Sequence, residues 1–142
     1  MNVFCTPEFK KEYEKLSKNK SYQYLGKEII KAYFDKKMDD CLSGVRLNGH
    51  SPNPFINKRL EGSGGSRLYI LLVIAKDNAY LTFVHPKSGS AGYENISDDK
   101  KAELLDNVYN CITADDLYQV TCCEKKETLI FDLLETQAEV GI

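Results

Sequence analysis

The chain has 142 residues, of which 42% are apolar and 28% charged, proportions that are typical of a globular protein and exclude a disordered one. This length predicts one domain with one core, and the net charge is −2. The longest apolar run, Leu68–Ala75, is far shorter than the ~20 residues of a membrane span, and the N-terminus lacks the pattern of a signal peptide. We therefore expect a cytoplasmic protein with no membrane contact.

Five cysteines occur at positions 5, 41, 111, 122 and 123, and no Cys-x-x-Cys pair recurs at zinc-ligand spacing. The odd count predicts free, mostly buried thiols in a reducing compartment rather than a disulfide framework. We predict no metal site and no cofactor. Cys122 and Cys123, beside two lysines, are weak candidates for a nucleophile and rank below a structural role.

Charge is distributed unevenly along the chain. Residues 1–76 carry fourteen Lys or Arg against eight Asp or Glu, which gives +6, and residues 77–142 carry five against thirteen, which gives −8. A basic half indicates an anionic partner such as RNA, although the same lysines are also typical of solvated helix faces.

The first elements in chain order are a strand at Val3–Cys5 and a helix whose start is marked by Thr6, Pro7 and an acid. A second, longer helix is predicted from near Ser21 to residues 39–42, where a Ser-Gly pair supplies a turn. The apolar stripes that define the two helices consist of Phe9, Tyr13 and Leu16, and of Tyr22, Leu25, Ile29, Ala32 and Tyr33.

Three strands are predicted next, at Phe55–Leu60, Arg67–Ile74 and Ala79–His85, after a proline-containing loop at residues 49–54. A glycine-rich connection and a tight turn join them, so they are expected to pair consecutively and antiparallel.

A further helix is predicted from Ser97, with an inward stripe of Ala102, Leu105 and Val108. Beyond it, Tyr118–Cys122 and Thr128–Leu134 form either a hairpin or a strand followed by a helix. The element order predicts an α+β domain of two layers, in which a small antiparallel sheet packs against the N-terminal helices. We divide the chain into a domain at residues 1–110 and an extension at residues 111–142, packed on or trailing from it.

The densest pattern of polar residues lies between Asn57 and Ser97. It reads Asn-Lys-Arg-Leu-Glu-Gly-Ser-Gly-Gly-Ser-Arg up to Arg67, then two apolar strands, then Phe-Val-His-Pro-Lys-Ser up to Ser88, and finally Glu-Asn-Ile-Ser up to Ser97. Together with the helical hairpin before it, this ordered set resembles the RelE superfamily of bacterial toxins, and most closely its HigB-like members. The resemblance covers residues 2–108 and implies a RelE-like fold.

The resemblance also implies an activity, which is metal-independent cleavage of messenger RNA in the ribosomal A site. The 2′-hydroxyl of the RNA attacks the adjacent phosphorus, so the protein has to supply cations for the phosphate, proton-transfer groups and a surface for a splayed base. The implied partners are the ribosome, the messenger RNA and a small cognate antitoxin.

Carried over onto this sequence, the resemblance assigns the catalytic residues Lys58, Arg67, His85, Lys87 and Tyr93, and assigns RNA binding to Arg59. Adjacent strand residues point to opposite faces, so Lys58 and Arg59 share one patch only if the strand is bulged. Each assigned residue also has a structural interpretation, as an edge-strand charge or as a packed ring.

Two other function classes remain open. The acidic extension has no counterpart in the family core, so the chain is alternatively a catalytically inactive RelE-fold protein that acts as a protein-binding module. A generic basic RNA-binding domain ranks third, because no glycine-aromatic RNA signature is present.

Overall fold

The computed structural model describes residues 1–60, 65–86, 96–125 and 127–134. Within these ranges the chain forms a seven-stranded sheet and three α-helices. The strands are β1 (Asn2–Cys5), β2 (Val45–Arg46), β3 (Phe55–Leu60), β4 (Ser66–Val73), β5 (Asn78–Pro86), β6 (Tyr118–Cys122) and β7 (Leu129–Leu133). The helices are α1 (Pro7–Ser17), α2 (Leu25–Tyr33) and α3 (Asp98–Ala114).

The sheet is mixed and has the strand order β2-β3-β4-β5-β1-β6-β7. The pairs β3–β4 and β4–β5 are antiparallel, which confirms the predicted meander. β1, by contrast, lies parallel to β5 inside the sheet, so the sheet is mixed and larger than the small antiparallel sheet that was predicted.

Helices cover both faces of the sheet. Leu68, Ile70 and Leu72 of β4 pack in one core with α1 and α2. Tyr69 and Leu71 point the other way and pack in a second core with α3. The two N-terminal helices do share one face, as predicted, but α3 adds a third layer, so the two-layer arrangement was wrong.

The second helix is shorter than predicted. Short 3-10 turns at Lys20–Tyr22 and Met38–Cys41 flank α2, which ends at Tyr33 because Phe34 takes an extended backbone; Asp35 after it is left-handed (φ 57°).

In α3, Ser97 is the N-cap as predicted, and its side chain accepts a hydrogen bond from the Lys100 amide. The buried stripe, however, consists of Leu104, Val108 and Cys111, so of the predicted stripe only Val108 is fully buried, Leu105 is half-buried and Ala102 is exposed.

The C-terminal extension continues the same sheet. β6 pairs antiparallel with both β1 and β7, which confirms the hairpin and rules out the helical alternative for the second segment. α3 itself runs past residue 110, where the boundary was predicted, to Ala114. No helix in the described ranges is long and apolar enough to cross a membrane.

Thr6 joins α1 to the sheet. Its hydroxyl oxygen accepts a hydrogen bond from the Phe9 amide at 3.2 Å, as an N-cap does, and the same hydroxyl donates to the Thr82 carbonyl of β5 at 3.2 Å. The side chain is fully buried, so water cannot replace either bond.

We predict that Thr6→Val lowers the free energy of unfolding by about 2–3 kcal/mol, because a helix cap and a buried hydrogen bond are lost without a change of shape. Urea denaturation measures this difference. Thr6→Ser, which keeps the hydroxyl, should lose about 1 kcal/mol. Equal losses in the two variants would show that the hydroxyl contributes nothing.

Candidate active site

β5 carries one extra residue, Thr82, on the side that faces β4. Ile70 lies opposite Leu81 and Tyr69 lies opposite Phe83, so Thr82 has no partner in the ladder. A one-residue bulge reverses the alternation of every residue that follows it. His85 therefore points to the α3 face, whereas a regular strand would turn it toward α1 and α2.

Hydrogen bonds on both sides hold this bulge. The Thr82 hydroxyl donates to the Tyr69 carbonyl at 2.8 Å. On the other side, the Thr6 amide donates to the Leu81 carbonyl at 3.1 Å, next to the Thr6–Thr82 bond described above. The Thr82 side chain is 1% exposed, so the bulge lies within the core.

The bulge places Arg59, Arg67 and His85 in one row across three strands. Arg67 lies directly opposite Arg59 of β3 and directly opposite His85 of β5. Arg59 is exposed, whereas Arg67 is half-buried and its Nε has no hydrogen-bond partner in the described part of the chain. No carboxylate in that part forms an ion pair with either arginine.

Two like charges directly opposite each other on neighbouring strands destabilise a sheet. The Arg59–Arg67 pair therefore has an electrostatic cost that a bound anion would remove. We call the row of Arg59, Arg67 and His85 the arginine row.

His85 is 3% exposed and both of its ring nitrogens have polar neighbours. Nδ1 lies 2.9 Å from the Pro86 carbonyl, which only accepts, so Nδ1 carries the hydrogen. Nε2 lies 3.2 Å from the Tyr69 hydroxyl and, in the neutral ring, accepts from it. The Tyr69 ring also stacks on the imidazole, with 5.6 Å between centroids.

Burial lowers the pKa of His85 below its ordinary value of 6.5; the hydrogen bond to Pro86 opposes this shift and the charge of Arg67 adds to it. The imidazole is therefore neutral at pH 7, which is the form that accepts a proton.

The other predicted site residues do not all join this row. Lys58 lies opposite Leu68, on the face of α1 and α2, and its Nζ donates to the Ser43 hydroxyl at 2.6 Å. Its assignment to one site with Arg67 was therefore wrong, because β3 is regular at this point and separates Lys58 from Arg59. Lys87 and Tyr93 lie outside the described residues.

Three neighbours of the arginine row were not predicted from the sequence: Asn57, Tyr69 and Thr82. Asn57 lies opposite Tyr69, is 4% exposed, and has an Oδ1 atom without a hydrogen-bond partner among the described residues. Nothing in the sequence distinguishes Tyr69 or Thr82 from the apolar strand residues around them.

Three of the five cysteines, Cys5, Cys41 and Cys111, are buried free thiols, as predicted. Cys123 is different. Hydrogen bonds from the Thr128 side chain and from nearby amides lower its pKa to about 7. It is a partly exposed thiol in the turn between β6 and β7, far along the sheet order from the arginine row.

Comparisons with family models, curated proteins and solved structures find no match for this chain. The arginine row is therefore interpreted from its own geometry.

The lowered pKa of His85 predicts a pH dependence of stability. Between the folded pKa and 6.5 the unfolded chain binds more protons than the folded one, so stability rises with pH in this window and falls on acidification. His85→Gln removes this contribution. The gap in melting temperature between the wild type and His85→Gln should therefore narrow as the pH falls from about 7 to below the folded pKa.

Thermal melts of both proteins at several pH values measure this gap, and His50→Gln, in an exposed loop, is the control for loss of a histidine elsewhere. A gap that stays constant with pH would mean that His85 is not held neutral by the fold.

Proposed function

We propose that the protein is an endoribonuclease that cleaves messenger RNA on the ribosome by attack of the RNA's own 2′-hydroxyl. The observation that carries this proposal is the arginine row, in which two guanidinium groups, with no ion pair to any described carboxylate, lie beside an imidazole whose pKa is lowered. The RelE-like order of motifs in the sequence supports the same reaction, and it implies a small antitoxin as the protein that blocks the activity.

In the proposed reaction, the 2′-oxygen forms a bond to phosphorus while the bond from phosphorus to the 5′-oxygen breaks. The products are a 2′,3′-cyclic phosphate and a 5′-hydroxyl. Negative charge grows on the phosphate oxygens in the transition state, and guanidinium donors on rigid strands stabilise it without reorganising. Arg67 has this role through its half-buried guanidinium group, and Arg59 binds a neighbouring phosphate.

Proton transfer is assigned to His85, whose Nε2 accepts the proton of the 2′-hydroxyl. In the free protein this nitrogen accepts from Tyr69, so the RNA has to replace that hydroxyl in the complex. By the resemblance, Lys87 adds a further cation, and Tyr93 stacks on a base or protonates the leaving oxygen. Lys58 has no part, since it lies on the other face.

One observation favours the second candidate, a RelE-fold protein-binding module without catalysis. His85 is 3% exposed and Tyr69 is fully buried, so the proton-transfer group is shielded in the free protein. The two candidates differ in one property that is simple to measure, which is arrest of growth by the unmodified protein.

We predict that Arg67→Ala and Lys87→Ala each abolish the growth arrest that the wild type causes in a bacterial host. Loss of one preorganised cation at a developing phosphorane costs about 3–4 kcal/mol, or roughly two to three orders of magnitude in rate. Cleavage of a reporter message, quantified by primer extension, measures the rate directly. Arg67→Lys should recover part of it, because the charge remains and the two-pronged contact is lost.

Lys76→Ala is the matched control, since Lys76 is an exposed lysine at the opposite end of β5 and should leave both arrest and stability unchanged. Arrest that survives both cation substitutions would remove the proposed mechanism. A wild type that causes no arrest would instead favour the protein-binding module.

A further inference from the structure

A cleft opens between α1 and the last residues of β5. β1 pairs with β5 only from Asn78 to Leu81, so beyond Leu81 a helix rather than a strand lies along this edge. The cleft has a volume of about 440 Å³, which is within the range of about 300–1,000 Å³ that is usual for ligand sites.

The walls of this cleft are apolar and its rim is polar. Leu16 of α1 and Phe83, Val84 and Pro86 of β5 line the walls, and the buried imidazole of His85 lines the cleft beside them. At the rim, Glu12 has no ion pair in the described part of the chain and offers an acceptor. Asn19 uses its Oδ1 to accept from the Ser21 amide at 2.9 Å, which leaves its NH₂ group as a donor. A flat heteroaromatic ring with donor and acceptor edges fits this combination.

A row of lysines on α1 runs past the cleft. Lys11, Lys15 and Lys18 are exposed and follow the spacing i, i+4, i+7, so they share one side of the helix over about 10 Å. None of the three forms an ion pair within the described ranges, in contrast to Lys10, which pairs with Glu14 at 2.7 Å. We call these three residues the lysine ridge. Lys15 belongs to both the ridge and the cleft.

We propose that the cleft and the lysine ridge together bind single-stranded RNA, with one unstacked base in the cleft and the neighbouring phosphates along the ridge. An apolar slot beside a line of cations is the combination by which single strands are held, because the slot receives a base and the cations follow the backbone. Duplex RNA keeps its bases paired and has none to place in the slot. Because His85 lines the cleft, this inference rests on the proposed function and names the RNA-binding surface beside its proton-transfer group; binding itself does not require cleavage.

The ridge is tested by the salt dependence of binding. The probe is a fluorescein-labelled, single-stranded 2′-O-methyl oligoribonucleotide of about ten nucleotides, whose binding is followed by anisotropy. For single strands, a plot of the logarithm of affinity against the logarithm of salt concentration has a slope of about −0.7 per neutralised phosphate. The triple variant Lys11→Gln/Lys15→Gln/Lys18→Gln removes three cations, so its slope should be less steep by about 2. The control is the triple variant Lys36→Gln/Lys37→Gln/Lys76→Gln, which changes the net charge by the same amount away from the ridge. It should leave the salt slope of binding unchanged.

The cleft is tested with two uncharged substitutions. Leu16→Trp fills the slot and should weaken binding by about 5- to 100-fold, the range for loss of one stacked base, with an unchanged salt slope. Because Leu16 is half-buried, Asn19→Ser provides a second variant that keeps a capping oxygen for Ser21 and loses only the NH₂ donor. It should weaken binding by about 2- to 10-fold, and melting curves confirm that both variants are folded.

Equal affinity for a duplex of the same sequence, or cleft variants that bind as the wild type does, would overturn the inference, since a bare cationic surface would then account for binding. The 2′-O-methyl probe has no free 2′-hydroxyl and cannot be cut by the proposed reaction. The binding experiment therefore tests this inference independently of the cleavage activity. A wild type that binds this probe in the cleft and cuts no RNA would contradict the proposed function alone.

Discussion

The single extra residue in β5, Thr82, determines which groups meet at the candidate site. If β5 paired with β4 without this bulge, Val84 would lie opposite Arg67, and His85 would point into the core beneath α1 and α2. Thr6 holds the bulge through its amide and hydroxyl and at the same time caps α1, so the start of the first helix and the direction of His85 depend on the same buried side chain. Bulges occur frequently next to active sites because they re-aim a side chain in this way.

The arrangement has an energetic cost that folding alone does not require. Two arginines face each other without an acid among the described residues, an Nε–H and an amide oxygen are buried without partners there, and an imidazole is held neutral. The facing arginines and the two unpaired buried atoms lower the stability of the free protein, and an anion with hydroxyl groups would relieve both features. Strain of this kind is concentrated at functional sites, which is why this end of the sheet is the better candidate.

Much of the fold was predictable, because β3, β4 and β5 are long apolar runs with clear turns and Thr6 and Ser97 mark helix starts. The position of α3 could not be predicted, since an apolar stripe on a helix does not reveal which face of a sheet that helix covers. The bulge could not be predicted either. Residues 79–85 are buried on both faces of the sheet, so no alternation of polar and apolar residues marks Thr82 as the extra residue. Arg67 and His85 were predicted as site residues because their side chains are chemically distinctive. Tyr69 and Asn57 were not, because their positions beside the arginine row depend on the strand register.

The most direct test of this account is the chemistry of the RNA ends. Ribosomes programmed with a defined message are incubated with the purified protein, and the termini of the fragments are identified by selective ligation and mass spectrometry. The account predicts fragments with a 2′,3′-cyclic phosphate on one side of the cut and a 5′-hydroxyl on the other. Fragments that carry a 5′-phosphate, or a message that stays intact, would contradict it.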